Sequence, residues 1–203
     1  ILSYVILTIF ALCCLYPFIF LLSSSISSKA AVDAGKVVLF PVFDEKGVNF
    51  SAYLKVFTDK DFWISYCNSF FVTMYGTLVS MLVAICGAYA LSKTRLMFGR
   101  GFNFMLVFTM WFNAGMIPNF KNFNNFGVNN IYMFIIALGF NAFNIILLRN
   151  YFSSIPTEIE EAATIDGATE FQILSKIYVP MSKSSIVTVA MFYAVARWNG
   201  YLW

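Results

Sequence analysis

The sequence predicts an all-α integral membrane protein, a polytopic helix bundle, on three observations. Its 203 residues are 60% apolar and only 11% charged, about half of the charged fraction of an ordinary soluble domain. Five stretches lack any charge, and all but the last reach the roughly 20 residues that a membrane span needs. The period-two alternation of a barrel strand is missing, whereas a helix satisfies its backbone hydrogen bonds within one span. The charge-free stretches are residues 1–28, 62–92, 101–120, 122–148 and 184–196.

We place the first span at residues 2–22 and a long external loop at residues 23–61. Pro17 can kink this span without ending it, provided that neighbouring groups satisfy the freed carbonyl. The loop carries five basic and five acidic residues, and this balance favours the extracytoplasmic side. A signal peptide is an alternative for the first 22 residues, but the positive flank that precedes such a segment is missing.

The second span is predicted at residues 66–91, with Trp63 and Tyr66 as an aromatic anchor in the membrane interface. Small residues recur at every fourth position of this span and therefore share one face of the helix. Such a face allows a second helix to approach closely in lipid. The small residues are Gly76, Ser80, Ala84 and Ala88.

A short basic connection follows the second span and indicates the cytoplasmic side, because cytoplasmic loops are enriched in Lys and Arg. It contains Lys93, Arg95 and Arg100. The count of Lys and Arg over all loops is almost equal on the two sides and does not by itself decide the orientation. The remaining segments are a third span at 102–117, a fourth at 131–148, a cytoplasmic hairpin at 149–183 and a fifth span at 184–200.

The predicted hairpin has two helix starts. Thr157-Glu158-Ile159-Glu160 fits a capping box, and so does Thr169-Glu170-Phe171-Gln172. Gly167 lies between them and can end the first helix in the left-handed conformation. The second helix then has an apolar face up to Pro180. That face consists of Phe171, Leu174 and Ile177/Tyr178.

The composition argues against several kinds of site. The chain has no His, the commonest transition-metal ligand. Its four cysteines show no C-x-x-C spacing, which argues against a metal site or a disulfide framework, and we expect them to be small apolar core residues. A phosphate-binding G-x-x-x-x-G-K-[ST] loop is also missing, so the 203 residues do not include an ATPase site. We therefore expect no cofactor, no metal and no nucleic acid on this chain.

A spaced motif runs through the hairpin as Glu161-Ala162-Ala163, Gly167, Ile177 and Val179-Pro180. The pattern resembles the signature of permease subunits in bacterial ATP-binding cassette importers, in which Leu stands at the position of Val179. The triplet Asp166-Gly167-Ala168 and the pair Trp198-Asn199 are similar to the carbohydrate-uptake branch. Gly115-Met116-Ile117-Pro118 resembles members linked to complex saccharides.

The resemblance implies a type I importer permease in the bacterial cytoplasmic membrane, where it crosses several times. Its partners would be a pair of ATPase subunits that bind ATP and Mg²⁺, a second permease and an extracytoplasmic solute-binding protein. The hairpin would be a coupling helix that docks on the ATPase. The docking residues carried over by position are Glu161, Ala162, Ala163, Asp166 and Gly167, with Ile177 and Pro180 setting how the second helix rejoins span five.

The same resemblance implies six spans, of which the sequence contains five. Because the sequence starts without Met and stops where the fifth apolar segment ends, we expect it to be a fragment with the sixth span beyond it. Side chains that suit a sugar path, through amide hydrogen bonds or aromatic stacking, can equally bond helix to helix. We expect Arg197 to extend its charge to the membrane interface. The candidate path residues are Asn113, Asn141, Asn144, Trp198 and Asn199, with Asn68 a further possibility.

Three alternatives to a saccharide importer stay open on the sequence. An importer of the same superfamily for another solute is the nearest. An ion-coupled secondary transporter needs carboxylates or other coupling-ion ligands within its spans, and the first four spans contain no Asp or Glu. A scaffold or receptor fits the composition but leaves the spacing of the hairpin motif unexplained.

Overall fold

The computed structural model describes residues 2–43, 47–112, 114–128 and 130–200. All of the longer regular elements in these ranges are helices, which confirms the all-α prediction. The chain divides into two compact units, Ile1–Tyr66 and Cys67–Trp203. Each unit is described separately below.

The first unit is built around one long apolar helix, α1 (Leu2–Ile26), which contains Pro17. Polar contacts at the end of α1 hold the segment that follows. The Ser23 hydroxyl donates to Leu39 O at 2.6 Å, and the Val42 amide donates to Ser27 Oγ at 3.1 Å. Two short helices, α2 (Lys29–Asp33) and α3 (Ser51–Thr58), complete this part before α4 (Lys60–Ser92) begins.

The second unit contains most of α4 and the remaining helices. Several of them are short, because the chain bends sharply between them. In order they are α5 (Gly99–Trp111), α6 (Met116–Asn125), α7 (Ile131–Ala137), α8 (Ala142–Phe152), α9 (Thr157–Ile165), α10 (Glu170–Ile173), a π-helical turn (Leu174–Tyr178), α11 (Val179–Met181) and α12 (Lys183–Trp198).

The small-residue face of α4 is buried as predicted. Ser80, Ala84 and Ala88 are each 0% exposed, and small side chains there let the neighbouring helices come close. The core of the second unit collects apolar side chains from α4, α8 and α12 around this face, and α8 also packs against α5 and α12. Its fully buried members include Ile145, Leu148, Phe152, Ile173 and Val189.

The expectation that the cysteines are core residues is wrong. All four are free and exposed on α1 and α4. In a membrane protein the outer face of a span is as apolar as its core, so an apolar residue suits either face. The four residues are Cys13, Cys14, Cys67 and Cys86.

The third predicted span, 102–117, is divided in the structure. Helix α5 ends at Trp111 and α6 begins at Met116, directly after Gly115 with φ +84°. A positive φ is costly for most residues and easy for glycine, so Gly115 allows the chain to change direction here. Pro118 lies in the first turn of α6, where its missing N–H costs nothing.

The fourth predicted span, 131–148, is a bent pair of helices, with 52° between α7 and α8. Asn141 begins the second half, and its side chain accepts a hydrogen bond from Asn144 N at 3.0 Å. Such a cap supplies a partner for an amide that a new helix start leaves free. The fifth predicted span, 184–200, corresponds to α12, which follows a bend of 85° from the helical run Glu170–Met181 at Ser182.

Length and composition identify the helices of the described residues that can cross a membrane. α1 and α4 qualify singly, and the two bent pairs bring the number up to four if each pair is one span. One of these pairs is α7 with α8. The other joins Glu170–Met181 to α12.

Candidate functional site

The hairpin, defined here as α9, the Gly167 turn and the helical run from Glu170 to Met181, is the best-formed candidate site. Ala168 N donates to Ala163 O at 3.0 Å, and Gly167 N donates to Thr164 O at 3.0 Å. This pair of bonds, with Gly167 at φ +80°, is a Schellman motif. The predicted glycine turn is therefore confirmed.

The second helix start is also confirmed. Gln172 N donates to Thr169 Oγ1 at 3.3 Å, while Thr169 N donates to Gln172 Oε1 at 2.9 Å. The two bonds close the predicted capping box. They satisfy donors that the first turn of a helix leaves without partners.

The first predicted capping box, Thr157 with Glu160, is wrong. Pro156 is the cap residue, Thr157 is the first helical residue, and no side chain caps this end. Glu160 contacts Lys93 Nζ at 2.6 Å instead. A charge-assisted contact with an ammonium group is stronger than a bond to a neutral amide. The Glu160 carboxylate therefore pairs with Lys93 and does not accept from the backbone amide at the start of α9.

Lys93, directly after α4, is enclosed by aromatic and acidic groups. Its ammonium lies 4.0 Å from the ring centre of Tyr89 and 4.3 Å from that of Tyr178, a cation–π arrangement. The Tyr178 hydroxyl donates to Glu160 Oε2 at 2.7 Å. The side chain of Lys93 is 10% exposed and that of Glu160 is 15% exposed, so water screens this pair little.

Arg95 adds a second, more exposed connection. It pairs with Glu170 and lies 3.5 Å from Glu160, and the Tyr89 hydroxyl donates to Glu170 Oε2 at 2.6 Å. Each helix of the hairpin thus offers one carboxylate to the basic segment that follows α4. We call these four charged residues, Lys93, Arg95, Glu160 and Glu170, the ionic bracket.

The electrostatics of the bracket favour an ionised Glu160. Burial opposes ionisation, but hydrogen bonds from Lys93 and Tyr178, with the positive charges of Lys93 and Arg95, hold the pKa of the Glu160 carboxyl below its usual value. Burial, together with the hydrogen bond to Glu160 and its charge, raises the pKa of the Tyr178 phenol. The tyrosine therefore remains a neutral hydrogen-bond donor at neutral pH.

The predicted docking residues divide between an exposed group and a packed group. Glu161, Ala162, Asp166, Gly167 and Pro180 are exposed, whereas Ala163 and Ile177 are partly buried against the core. The exposed group lies on α9, its turn and the end of the second helix. It forms a small-residue surface with two carboxylates, which a partner could approach closely.

The predicted apolar face of the second helix is wrong at Phe171, which is 76% exposed. Leu174 and Ile177 are partly buried against the core. Tyr178, at 3% exposed, is buried as predicted, and Ile173, which the predicted face did not include, is buried as well, at 1% exposed. They are five positions apart, and the chain from Leu174 to Tyr178 forms a π-helical turn. Its i to i+5 hydrogen bonds widen the turn, so residues five positions apart come closer to one face than they would in an α-helix. Phe171 is left at the surface, as is Ile165, which is 87% exposed.

A cleft of about 670 Å³ lies beside the bracket. It is lined by the segment after α4, the end of α8 and residues of α9, including Lys93, Arg149, Thr157 and Glu161. Arg149 also donates to Leu91 O at 3.3 Å, at the carboxyl end of α4. This bond holds the end of α8 to the end of α4 beside the cleft.

The candidate path residues are brought together only in pairs. Asn141 and Asn144 meet at the start of α8, and Asn144 is 5% exposed. Trp198 and Asn199 lie at the end of α12, where the Asn199 amide donates to Val195 O at 3.0 Å. Asn113 lies outside the described residues.

Arg197 does not extend to the interface as expected. Its Nη2 donates to Ser80 Oγ and Leu138 O, each at 2.9 Å, and to Ile135 O at 3.3 Å. Gly76 leaves the room for this, because a Cβ there would lie 2.9 Å from Arg197 Cζ. The small-residue face of α4 was the available signal, but small residues admit a helix or a long side chain equally well.

All residues from 1 to 203 match the protein family described as binding-protein-dependent transport system inner membrane component. The chain belongs to this family. The match confirms the permease resemblance that the spaced motif of the hairpin indicates.

Similar proteins agree with the family. The chain is 38% identical over 202 residues to the polygalacturonan/rhamnogalacturonan transport system permease protein YtcP of Bacillus subtilis strain 168, covering 99% of this chain and 69% of YtcP. It is 34% identical over 189 residues to protein LplC of the same organism, covering 91% of this chain and 62% of LplC. The chain therefore spans about two thirds of the length of these relatives.

A solved structure shows the same fold. It is described as a bacterial ABC transporter involved in the import of the acidic polysaccharide alginate. One of its chains superimposes with a TM-score of 0.89 at 50% sequence identity, and the match covers 100% of this chain and 71% of that chain. The predicted fold, a permease of the ATP-binding cassette importer kind, is thus confirmed.

Proposed function

We propose that this chain is a transmembrane permease subunit of an ATP-driven saccharide importer, in which the hairpin couples ATPase closure to alternating access. One observation carries this proposal: the full spaced motif from Glu161 to Pro180 folds as a hairpin with an exposed small-residue surface. The hairpin is tied to α4 by the ionic bracket and is joined to α12 at Ser182. A force on its surface therefore reaches two predicted spans.

The docking partner in this proposal is an ATPase subunit with a groove that fits α9. Ala162 and Gly167 permit close approach, while Glu161 and Asp166 favour basic groups on the partner and set its register. ATP and Mg²⁺ bind to the ATPase pair, and this chain contributes no catalytic group. A second permease completes the path across the membrane, and an extracytoplasmic binding protein delivers the saccharide.

Transmission then follows from the contacts of the hairpin. The Lys93–Glu160 pair is shielded from water and resists separation, because pulling it apart leaves a poorly solvated charge without a partner. Displacement of α9 therefore moves the cytoplasmic end of α4 with it. Rigid-body motion of packed helices about an interface is an established way to open one side of a transporter and close the other.

An acidic oligosaccharide is the substrate class best supported by the similar proteins. One relative is named for polygalacturonan and rhamnogalacturonan, and the solved structure is named for an acidic polysaccharide. Other relatives are named for lactose and diacetylchitobiose, which are neutral sugars. We therefore propose that the transported substrate is a saccharide and, within that class, an acidic one.

The decisive experiment is transport by the assembled complex. The full-length protein is co-purified with its ATPase, second permease and binding protein, and reconstituted in vesicles with ATP on the ATPase side. Uptake of labelled trigalacturonate is compared with that of labelled maltotriose and labelled proline. Saccharide uptake that needs ATP supports the proposal, and preference for trigalacturonate supports the acidic class. Uptake of proline alone would establish the importer for another solute, and a chain that retains no ATPase would contradict the proposal.

A further inference from the structure

Arg197 is a partly buried positive charge near the end of α12, and its contacts join three elements of the second unit. The guanidinium reaches Ser80 on α4 and the carbonyls of Ile135 and Leu138 at the end of α7. Ser80 is 0% exposed. A charge in a span is expensive, so such a residue usually has a role that requires it.

The two carbonyls are free because the fourth span is broken there. In a continuous helix Gly139 N would donate to Ile135 O, but it donates to Ile136 O at 2.9 Å instead. Leu138 O loses its helical partner in the same way, because α8 starts anew at Ala142. Carbonyls without partners are costly inside a membrane, and Arg197 supplies donors to both.

The guanidinium is held by shape as well as by hydrogen bonds. A Cβ at position 76 would lie 2.9 Å from Cζ and 2.9 Å from Nε of Arg197, so any larger residue there would require the guanidinium to shift. Carbonyl oxygens at a helix carboxyl end carry partial negative charge, which offsets part of the cost of burying the cation. Arg197 Nη1 is buried and finds no hydrogen-bond partner among the described residues.

The Arg197 contact lies far from the hairpin, at the opposite end of α12. Arg197 lies 14 positions after Lys183, the first residue of α12, or about 20 Å along the helix axis. Ser80 precedes Lys93 by 13 positions, a similar distance along α4. Helices α4 and α12 are therefore connected at two levels, by the ionic bracket through the hairpin at one end and by Arg197 at the other.

We propose that Arg197 is a positioning residue for transport, a latch that holds the broken end of α7 against α4 and α12 so that the three elements move as one body. This inference rests on the proposed function, because the movement in question is the one driven through the hairpin. Without the latch, α12 would move while α7 stayed in place, because the bend between α7 and α8 would change its angle instead of transmitting the movement. ATP would then be hydrolysed without moving the saccharide.

The test compares two ways of opening the latch with a matched control. Arg197→Gln removes the charge and most of the donors. Gly76→Ala keeps Arg197 but displaces the guanidinium by steric contact. Gly87→Ala is the control on the same helix, because a Cβ there would meet its nearest atom, Ile145 Cγ2, at an ordinary 3.7 Å.

The main measurement is the ratio of labelled trigalacturonate taken up to ATP hydrolysed, in vesicles containing the assembled complex. We expect this ratio to fall about tenfold or more in Arg197→Gln and several-fold in Gly76→Ala, and to stay unchanged in Gly87→Ala. Arg197→Lys should recover part of it, because an ammonium group can donate to Ser80 and one carbonyl. Unchanged ratios in both Arg197→Gln and Gly76→Ala would overturn the latch.

A second measurement separates the latch from the proposed function. Hydrogen exchange of the segment 135–142 in the purified full-length protein should increase in Arg197→Gln and Gly76→Ala, and not in Gly87→Ala. It does not depend on transport, so it remains decisive if the wild-type complex takes up no saccharide and the proposed function fails. Unchanged exchange, with a higher trigalacturonate concentration for half-maximal ATPase activity, would assign Arg197 to the substrate and overturn the latch.

Discussion

Glu160 shows how strongly one residue can depend on partners that lie far away in the sequence. Its local sequence fits a capping box, yet its carboxylate contacts Lys93 and Tyr178 in the structure. A lysine between two tyrosine rings offers both charge and a desolvated setting, and either one strengthens the contact beyond what a backbone amide provides.

The lowered pKa of Glu160 leads to a prediction about pH. A carboxyl whose folded pKa lies below its unfolded value of about 4.5 stabilises the fold above that value and stops doing so as pH falls through the folded pKa. The midpoint of thermal unfolding of wild type should therefore exceed that of Glu160→Gln at pH 7 and at pH 5. Below pH 4.5 the difference should shrink, and a difference that stays constant down to pH 2.5 would contradict the lowered pKa.

Lys93→Met tests the ionic bracket directly. Methionine keeps most of the side-chain volume, but Glu160 is left partly buried without its cation, at a cost of about 2 kcal/mol. Cleavage within the hairpin by a protease should then be roughly 30-fold faster, because 1.4 kcal/mol corresponds to a factor of ten. Lys176→Met, at an exposed position of the same hairpin, is the control. Equal cleavage rates for the two variants would show that the bracket does not hold the hairpin.

At the residue level, local chemistry was predictable and long-range chemistry was not. The Gly167 turn and the Thr169–Gln172 box depend on neighbours within a few positions, and both are confirmed. The contacts of Glu160 and Arg197 are made with groups on other helices. The sequence does not show how those helices are aligned with one another. The contacts of a charged side chain in a membrane protein can therefore be predicted only when the fold is known.

At the scale of elements, the hairpin consists of two short helices whose relative direction is fixed by one turn. The Schellman bonds at Ala163 and Thr164 leave Gly167 in the left-handed region, where a side chain is unfavourable. The surface presented to a partner therefore depends on this residue, although Gly167 has open space around it.

Gly167→Ala should weaken the hairpin through backbone strain alone. A left-handed alanine costs about 1 kcal/mol, so hydrogen exchange at Ala168 and Thr169 should increase roughly fivefold, and ATP-driven uptake should fall more than complex assembly. Gly101→Ala, in α5 with equally open surroundings, should change neither quantity. An unaltered turn in Gly167→Ala would show that the left-handed conformation is not required.

The breaks within the spans are the elements that sequence patterns do not reveal. Residues 131–148 form one apolar, charge-free stretch, and apolarity reports only whether a segment can enter lipid. The bend between α7 and α8 is stabilised by the local Asn141 cap and by Arg197. The Arg197 contact comes from another helix and has no fixed sequence spacing. The same holds for the π-helical turn, which moves Phe171 to the surface by shifting the register.

At the scale of the whole molecule, the proposed assembly depends on an exposed surface of small side chains. Ala162→Trp should weaken retention of the ATPase by tenfold or more, because a bulky ring keeps the two surfaces apart. Ala162 is the better site for this change, since Ala163 is partly buried against the core and a ring there would disturb the hairpin itself. Thr164→Trp, on an exposed position that lines the cleft, serves as the control. Full retention of the ATPase in Ala162→Trp would place the docking surface elsewhere.

The fold class followed from the composition, because a chain so poor in charge has few alternatives to helices in lipid. The family followed from the spaced motif, since six of its seven positions in the hairpin match the signature and the seventh, Val179, replaces Leu with another apolar residue. The substrate did not follow in the same way. Asparagines in a span serve equally to cap a helix, as Asn141 does, and to bind a sugar.

The serine contacts at the end of α1 have a consequence for how deeply the chain lies in its bilayer. The apolar part of α1, residues 2–22, is about 31 Å long, close to the roughly 30 Å of the hydrocarbon layer. We therefore expect Ser23 and Ser27 at the level of the lipid headgroups, where their bonds to Leu39 and Val42 hold the following loop. We therefore expect this junction to lie at the membrane–water interface. Removing one turn of α1 would draw the loop toward the acyl chains or thin the membrane around the helix.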